Sequence, residues 1–148
     1  MTTAIETTVA AWPGVAVDDH RFGGREFTLA GREFGHLHGS RQADIPFPKR
    51  VRDVVVAAGL TSKHHLYPDS GWVTKYLERG DDETAVDLLR LNYLYQVAAL
   101  QRRETVDEAI VAIDVAAELD AMALPDGLRE LFPLDSSTGS GSGAAAEG

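Results

Sequence analysis

Two pairs of histidines are the first candidates for chemistry. His36 and His38 lie in REFGHLHG (32–39), and His64 and His65 lie in KHHLYPDSGW (63–72). On a β-strand, side chains two apart share a face roughly 7 Å apart, so Phe34, His36 and His38 are expected to project together. Two imidazoles so placed suit one of three tasks. They can ligate a metal, with a third donor from His64, His65, Asp44 or Asp69 and an open position for water. They can handle protons, one ring taking a proton from an enol or phenol while its neighbour steadies the anion. Or they are polar residues on a half-wet sheet face, the reading that spacing alone favours.

Neighbouring residues widen the candidate set. Pro68-Asp69-Ser70-Gly71 has turn chemistry, since proline fixes φ and Asp and Ser accept local hydrogen bonds. It leads into Trp72, so Asp69 would hang at the rim of a pocket with an aromatic floor. Trp72, Thr74 and Tyr76 would share one strand face, which could equally be core. Arg21, Arg25 and Arg32 could grip an acidic ligand, although exposure is the commoner fate of arginine. No G-x-S-x-G or H-E-x-x-H run occurs, which removes the signatures of serine hydrolases and zincins.

The elements that must position these groups are legible in outline. Ile5, Val9 and Trp12 predict a first helix, stopped at Pro13-Gly14. Strand-like runs follow at 14–17, 25–30 and 32–38, with Ala30-Gly31 as a hairpin turn. GSRQADIPFP reads as a loop, and Pro48 opens a helix through KRVRDVVVAA. A strand at 71–78 and a long helix through DETAVDLLRLNYLYQVAALQ come next. Thr105 and Glu108 fit a capping box for a final helix to about 122. The order α-β-β-β-α-β-α-α predicts an α+β domain, a small antiparallel sheet of about four strands with helices on one face. Its expected limits are 1–103, with a helical segment at 104–134 and a disordered Gly/Ser/Ala tail at 135–148.

Composition bounds the function. The 148 residues carry a net charge of −9, with 44% hydrophobic and 25% charged residues, the profile of a soluble domain. Residues 1–75 hold nine Lys/Arg and eight Asp/Glu, and residues 76–148 hold five and fifteen. No basic stripe is present, so nucleic acid is not an expected partner. No apolar run approaches a membrane span, and the start of the chain lacks a signal-peptide pattern, so a cytoplasmic protein is expected. With no cysteine there is no thiolate nucleophile and no Cys-ligated zinc.

The order of motifs says more than any one of them. HRFGGREF, GREFGHLHG, ADIPFPKRVRDVVVAAG, HHLYPDSGWV and a helix reaching LLRLNY together resemble the luciferase-domain family over about residues 5–97. That family joins the luciferases of bioluminescent fungi to small bacterial and archaeal proteins, and the latter are the nearer match. For the fungal enzymes it implies oxygenation of a hydroxypyrone by O2 without metal, flavin or nucleotide. Carried over, the resemblance puts Arg32, Glu33, His36, His38, His64 or His65, and Trp72 around a small-molecule ligand, with no cofactor. The expectation is therefore a cofactor-independent oxygenase of an enolisable aromatic or pyrone-like compound, with His36, His38, His64 and His65 catalytic. Arg32, Glu33, Asp69, Trp72 and Tyr76 would bind the substrate. One alternative is a non-catalytic ligand-binding or interaction module, forming a homodimer through the C-terminal helix. A second is a divalent-metal enzyme using the histidines.

Overall fold

Six antiparallel strands form the sheet, in the order β1-β2-β3-β4-β6-β5. The computed structural model describes residues 3–20, 23–64, 66–78, 81–103 and 107–134. The strands are β1 (Val15–His20), β2 (Gly24–Leu29), β3 (Arg32–His38), β4 (Gln42–Pro46), β5 (Ser62–Lys63) and β6 (Trp72–Tyr76). The helices are α1 (Ala4–Ala10), α2 (Lys49–Ala57), α3 (Asp82–Gln101), α4 (Glu108–Val111) and α5 (Val115–Ala121). The α+β antiparallel expectation holds, with six strands in place of about four.

The two additional strands are β4 and β5. QADIP reads as a loop because prolines follow and polar residues fill half of it. Those polar residues occupy one face only, while Ala43 and Ile45 are fully buried on the other. β4 is an interior strand, paired to β3 on one side and β6 on the other. β5 has two residues, too few to carry a sequence period.

One face of the sheet supplies the core. Phe27, Leu29, Phe34, Leu37, Ala43, Ile45 and Val73 are buried there, in one cluster with Leu88, Leu89 and Tyr93 of α3. Ala30 at φ 52° and Gly31 at φ 81° make the hairpin between β2 and β3 that the sequence predicts, the twist favoured for two-residue turns.

A bulge in β3 decides which way the histidines point. Phe27 pairs with Gly35 and Thr28 with Glu33, so Phe34 is the extra residue. An inserted residue shifts the alternation by one step. Phe34 packs on Trp12 and Tyr93, and a Cβ on Gly35 would run into Leu89. Both residues therefore face α3. His36 and His38 face the opposite side, which corrects the expectation that Phe34 projects with them.

The bulge frees backbone carbonyls, and α3 satisfies them. Buried Asn92 donates to the Phe34 and Pro46 carbonyls at 3.1 and 3.2 Å, and Gln96 donates to the Glu33 carbonyl at 3.0 Å. Replacing Asn92 with Leu is expected to strand both carbonyls and cost on the order of 2–4 kcal/mol, read as a lowered urea midpoint. An unchanged midpoint would rule out this role for Asn92.

The final helix is two short helices. Asp107 and Asp114 cap them, accepting from the Ala109 and Ala117 amides. At the break, Gln101 donates to the Ile110 and Ile113 carbonyls at 2.8 and 2.7 Å, so α3 makes the interruption affordable. Thr105 of the expected capping box, and the tail from 135, lie outside the described residues. Ile110, Val115 and Leu119 are buried against the rest of the chain. Val111 between them is exposed.

Candidate functional site

The face opposite the core carries a polar row that crosses four strands in register. Glu26 of β2 stands opposite His36 of β3, His36 opposite Asp44 of β4, and Asp44 opposite Thr74 of β6. Side chains directly opposite across antiparallel strands lie within about 5.5 Å, so sheet register alone assembles this row. His20, His38, Gln42 and Trp72 flank it from the same face.

Asp44 is the centre of the cluster, 1% exposed. Its Oδ1 accepts from Thr74 Oγ1 at 2.8 Å and from Gln42 Nε2 at 3.2 Å. Oδ2, which Gln42 Nε2 also reaches at 3.4 Å, is turned to the imidazoles. Nε2 of His36 lies 3.1 Å from it, Nε2 of His38 3.2 Å and Nε2 of His64 3.7 Å. The strand pair and the downstream histidine thus meet on one oxygen. His64 Nδ1 accepts the Leu66 amide at 3.1 Å, so the ring proton sits on the Nε2 that faces Asp44.

Two outer carboxylates hold imidazoles from behind. Glu33 Oε2 is 2.6 Å from His36 Nδ1, and Glu26 Oε1 is 3.1 Å from His20 Nδ1. His20 stacks on His36 with ring centroids 4.0 Å apart and planes 18° apart.

These surroundings separate the two strand histidines electrostatically. Burial would lower the His36 pKa, but hydrogen bonds to Asp44 and Glu33 outweigh it and raise the pKa to about 9. Burial, then the charge of His36, pushes His38 below its ordinary value. For Asp44, burial would raise the pKa, yet the bonds from His36 and Thr74 bring it to about 2. Without other ligands, then, His36 is an imidazolium between two carboxylates, and His38 is a neutral ring beside it.

A concavity of about 500 Å³ opens over this cluster, walled by Trp72, Tyr67 and Leu66 and bordered by Arg41. The Trp72 ring lies 5.4 Å from that of His36 and 6.1 Å from that of His64. The loop carrying Leu66 and Tyr67 is tied down by Arg52 of α2, which donates to the Pro68 and Ser70 carbonyls. Ser70 Oγ in turn accepts the Trp72 amide at 3.2 Å. The turn residues 68–71 thus act as scaffold.

Of the candidates read from the sequence, His36, His38, His64, Glu33 and Trp72 converge. Three do not. Arg32 precedes the bulge and lies on the α3 side of the sheet, beside Tyr95 and Gln96. Asp69 is exposed and borders an adjoining groove that shares Leu66, Tyr67 and Trp72 with the concavity. Tyr76 shares the strand face of Trp72 but stands at its far end, 47% exposed and outside the concavity. His65 lies outside the described residues. Two central groups are absent from the expected catalytic and binding set: Asp44, weighed only as a third metal donor, and His20. Both were signalled by alternation, in QADI and in VAVDDH, once the strands are given their full lengths.

Residues 31–92 match the Luciferase domain family, a segment running from the β2–β3 turn to Asn92 of α3. It contains Glu33, His36, His38, Asp44, His64 and Trp72; His20 precedes it. Neither the curated proteins nor the solved structures compared with the chain give a match.

Proposed function

Starting from a chain assigned through residues 31–92 to the luciferase-domain family, we propose that its histidine cavity binds and ionises a small enolisable aromatic or pyrone-like molecule and directs O2 onto the resulting anion. The observation that carries this reading is the buried Asp44 carboxylate ringed by three imidazoles beneath an aromatic wall. An imidazole of the cluster takes the acidic proton, and the remaining ring N–H groups and Arg41 hold the negative charge. Trp72 and Tyr67 pack the flat ring. The substrate anion supplies the electrons, so the oxygenation needs no flavin or nucleotide.

The test is oxygen uptake by purified protein across a panel of hydroxypyrones and polyhydroxy-aromatics. Uptake above background, reduced at least 100-fold in a His38→Gln variant that retains its circular dichroism, is the expected result. Equal inertness of wild type and variant, with no ligand-induced quenching of Trp72 fluorescence, would remove both the oxygenase and the ligand reading. Quenching without uptake would leave a binding module.

A further inference from the structure

We propose that His20, His36 and His38, with Asp44 Oδ2 as fourth donor, form a binding site for one divalent first-row transition-metal ion. This departs from the metal-free chemistry that the family resemblance implies, and it goes beyond the ligand reading, since it is tested with no organic molecule present.

Four observations carry it. First, one ring nitrogen from each of His20, His36 and His38 falls within 4.8 Å of the others. Second, the Asp44 contacts have the spacing of a coordination shell. Donors about 2.1 Å from a common ion stand about 3.0–3.4 Å apart at octahedral or tetrahedral angles, and Oδ2 is 3.1 Å from His36 Nε2 and 3.2 Å from His38 Nε2.

Third, the outer contacts are those that metal-bound imidazoles use. A ligating histidine commonly donates its other ring N–H to a carboxylate, which fixes the tautomer and aims the remaining nitrogen inward. Glu33 and Glu26 stand at Nδ1 of His36 and His20 in this way. Thr74 does the same for the carboxylate by engaging Oδ1 at 2.8 Å, and Gln42 lies nearer Oδ1, at 3.2 Å, than Oδ2, at 3.4 Å. Fourth, the charges call for a cation. Three carboxylates, those of Glu26, Glu33 and Asp44, surround a half-buried to buried group of rings.

The donor chemistry selects the ion. Three imidazoles and one carboxylate, with no thiolate, suit Fe²⁺, Co²⁺, Ni²⁺ or Zn²⁺ and disfavour Mg²⁺ and Ca²⁺, which prefer all-oxygen shells. The cavity side of the shell stays open, with His64 at 3.7 Å from Oδ2 bordering it. A water or an ionised ligand oxygen can complete the coordination there.

The experiment uses the full chain, purified without a polyhistidine tag and stripped with a chelator. Co²⁺ and Zn²⁺ are titrated in by calorimetry, and Co²⁺ also by its visible absorption. One ion per chain with a micromolar or tighter Kd is expected. Binding weakens at least tenfold in His20→Gln, and in Glu26→Gln, which leaves every proposed donor in place. Loss of binding in His20→Gln counts only if Glu26→Gln, with native circular dichroism, is also weakened. No binding up to millimolar metal overturns the site, as does full-strength binding in both variants. So does full-strength binding in Glu26→Gln alone, because the outer carboxylate would then do nothing for the metal.

Discussion

Asp44→Asn is expected to be the most damaging conservative substitution in the cluster. The asparagine carbonyl can still accept from Thr74, but its amide hydrogens then face the His36 N–H, donor against donor. Removing one partner of a buried ion pair costs about 3–5 kcal/mol, because the other charge is left buried and unpaired. His36 has Glu33 as a second partner, which places the expected loss near about 3 kcal/mol, read as a lowered urea midpoint. A loss below roughly 0.5 kcal/mol, the scale of an ordinary surface substitution, would show that Asp44 is not the centre of the cluster.

The same variant should change the pH dependence of stability in chelator-treated protein. The His36 pKa is raised, from 6.5 to about 9. Its contribution is therefore complete below 6.5 and is lost as pH rises through about 9. The Asp44 pKa is lowered, from 3.8 to about 2. Its contribution is complete above 3.8 and is lost as pH falls through about 2. Wild type should hold its cluster stability between these limits. Asp44→Asn should lose much of the alkaline slope, leaving only what Glu33 sustains among the groups around the ring, which also include His20 and His38. Histidine ring NMR reads this directly: one wild-type imidazole should titrate near 9 and move down in the variant. An unmoved titration would remove the proposed Asp44 contribution.

How much of this was legible beforehand differs by element. α3 is a long, largely buried helix, and its limits match the stretch read from the sequence, although Asp81 at its N-cap makes no side-chain capping bond. Helical periodicity is a local signal, and twenty residues repeat it often enough to be plain. The β3 bulge was not legible. It depends on Asn92 and Gln96, about sixty residues away, accepting the task of bonding its carbonyls. Strict alternation from Phe34 to His38 hid it, because one inserted residue reverses the faces without changing composition. The ordered motifs located His36, His38, His64 and Trp72. They did not rank Asp44, whose importance comes from cross-strand register with His36 and Thr74. His20 reaches the site as the last residue of β1, opposite Gly24 and diagonal to Glu26, beyond the end of the strand expected at 14–17. Arg32 shows the converse error. It is adjacent in sequence to the site residues, and the bulge puts it on the other face.

Gly71→Ala is expected to have the other large effect, for a reason that is steric and local. Gly71 does not adopt positive φ among the described glycines, so conformational freedom is not why it is there. A Cβ at this position would overlap the Phe47 carbonyl oxygen, with the Phe47 carbonyl carbon only 3.0 Å away. The obstacle is backbone, which no rotamer change relieves. The same two residues are joined by the Phe47 amide donating to the Gly71 carbonyl at 3.2 Å, just beyond the Pro46–Trp72 pair that starts the β4–β6 ladder. Forcing them apart should cost about 3 kcal/mol and displace Trp72, whose ring covers His36 and His64. Gly31→Ala is the control. Gly31 has φ 81° but nothing within 4 Å of an added Cβ, so its cost should be about 1 kcal/mol of backbone strain, confined to the hairpin. Urea melts rank the two, and ring-current shifts on the His36 and His64 protons report whether Trp72 has moved. If Gly71→Ala proved the milder substitution and left those shifts in place, the close approach of 71 to 47 could not be what seats the aromatic wall over the imidazoles.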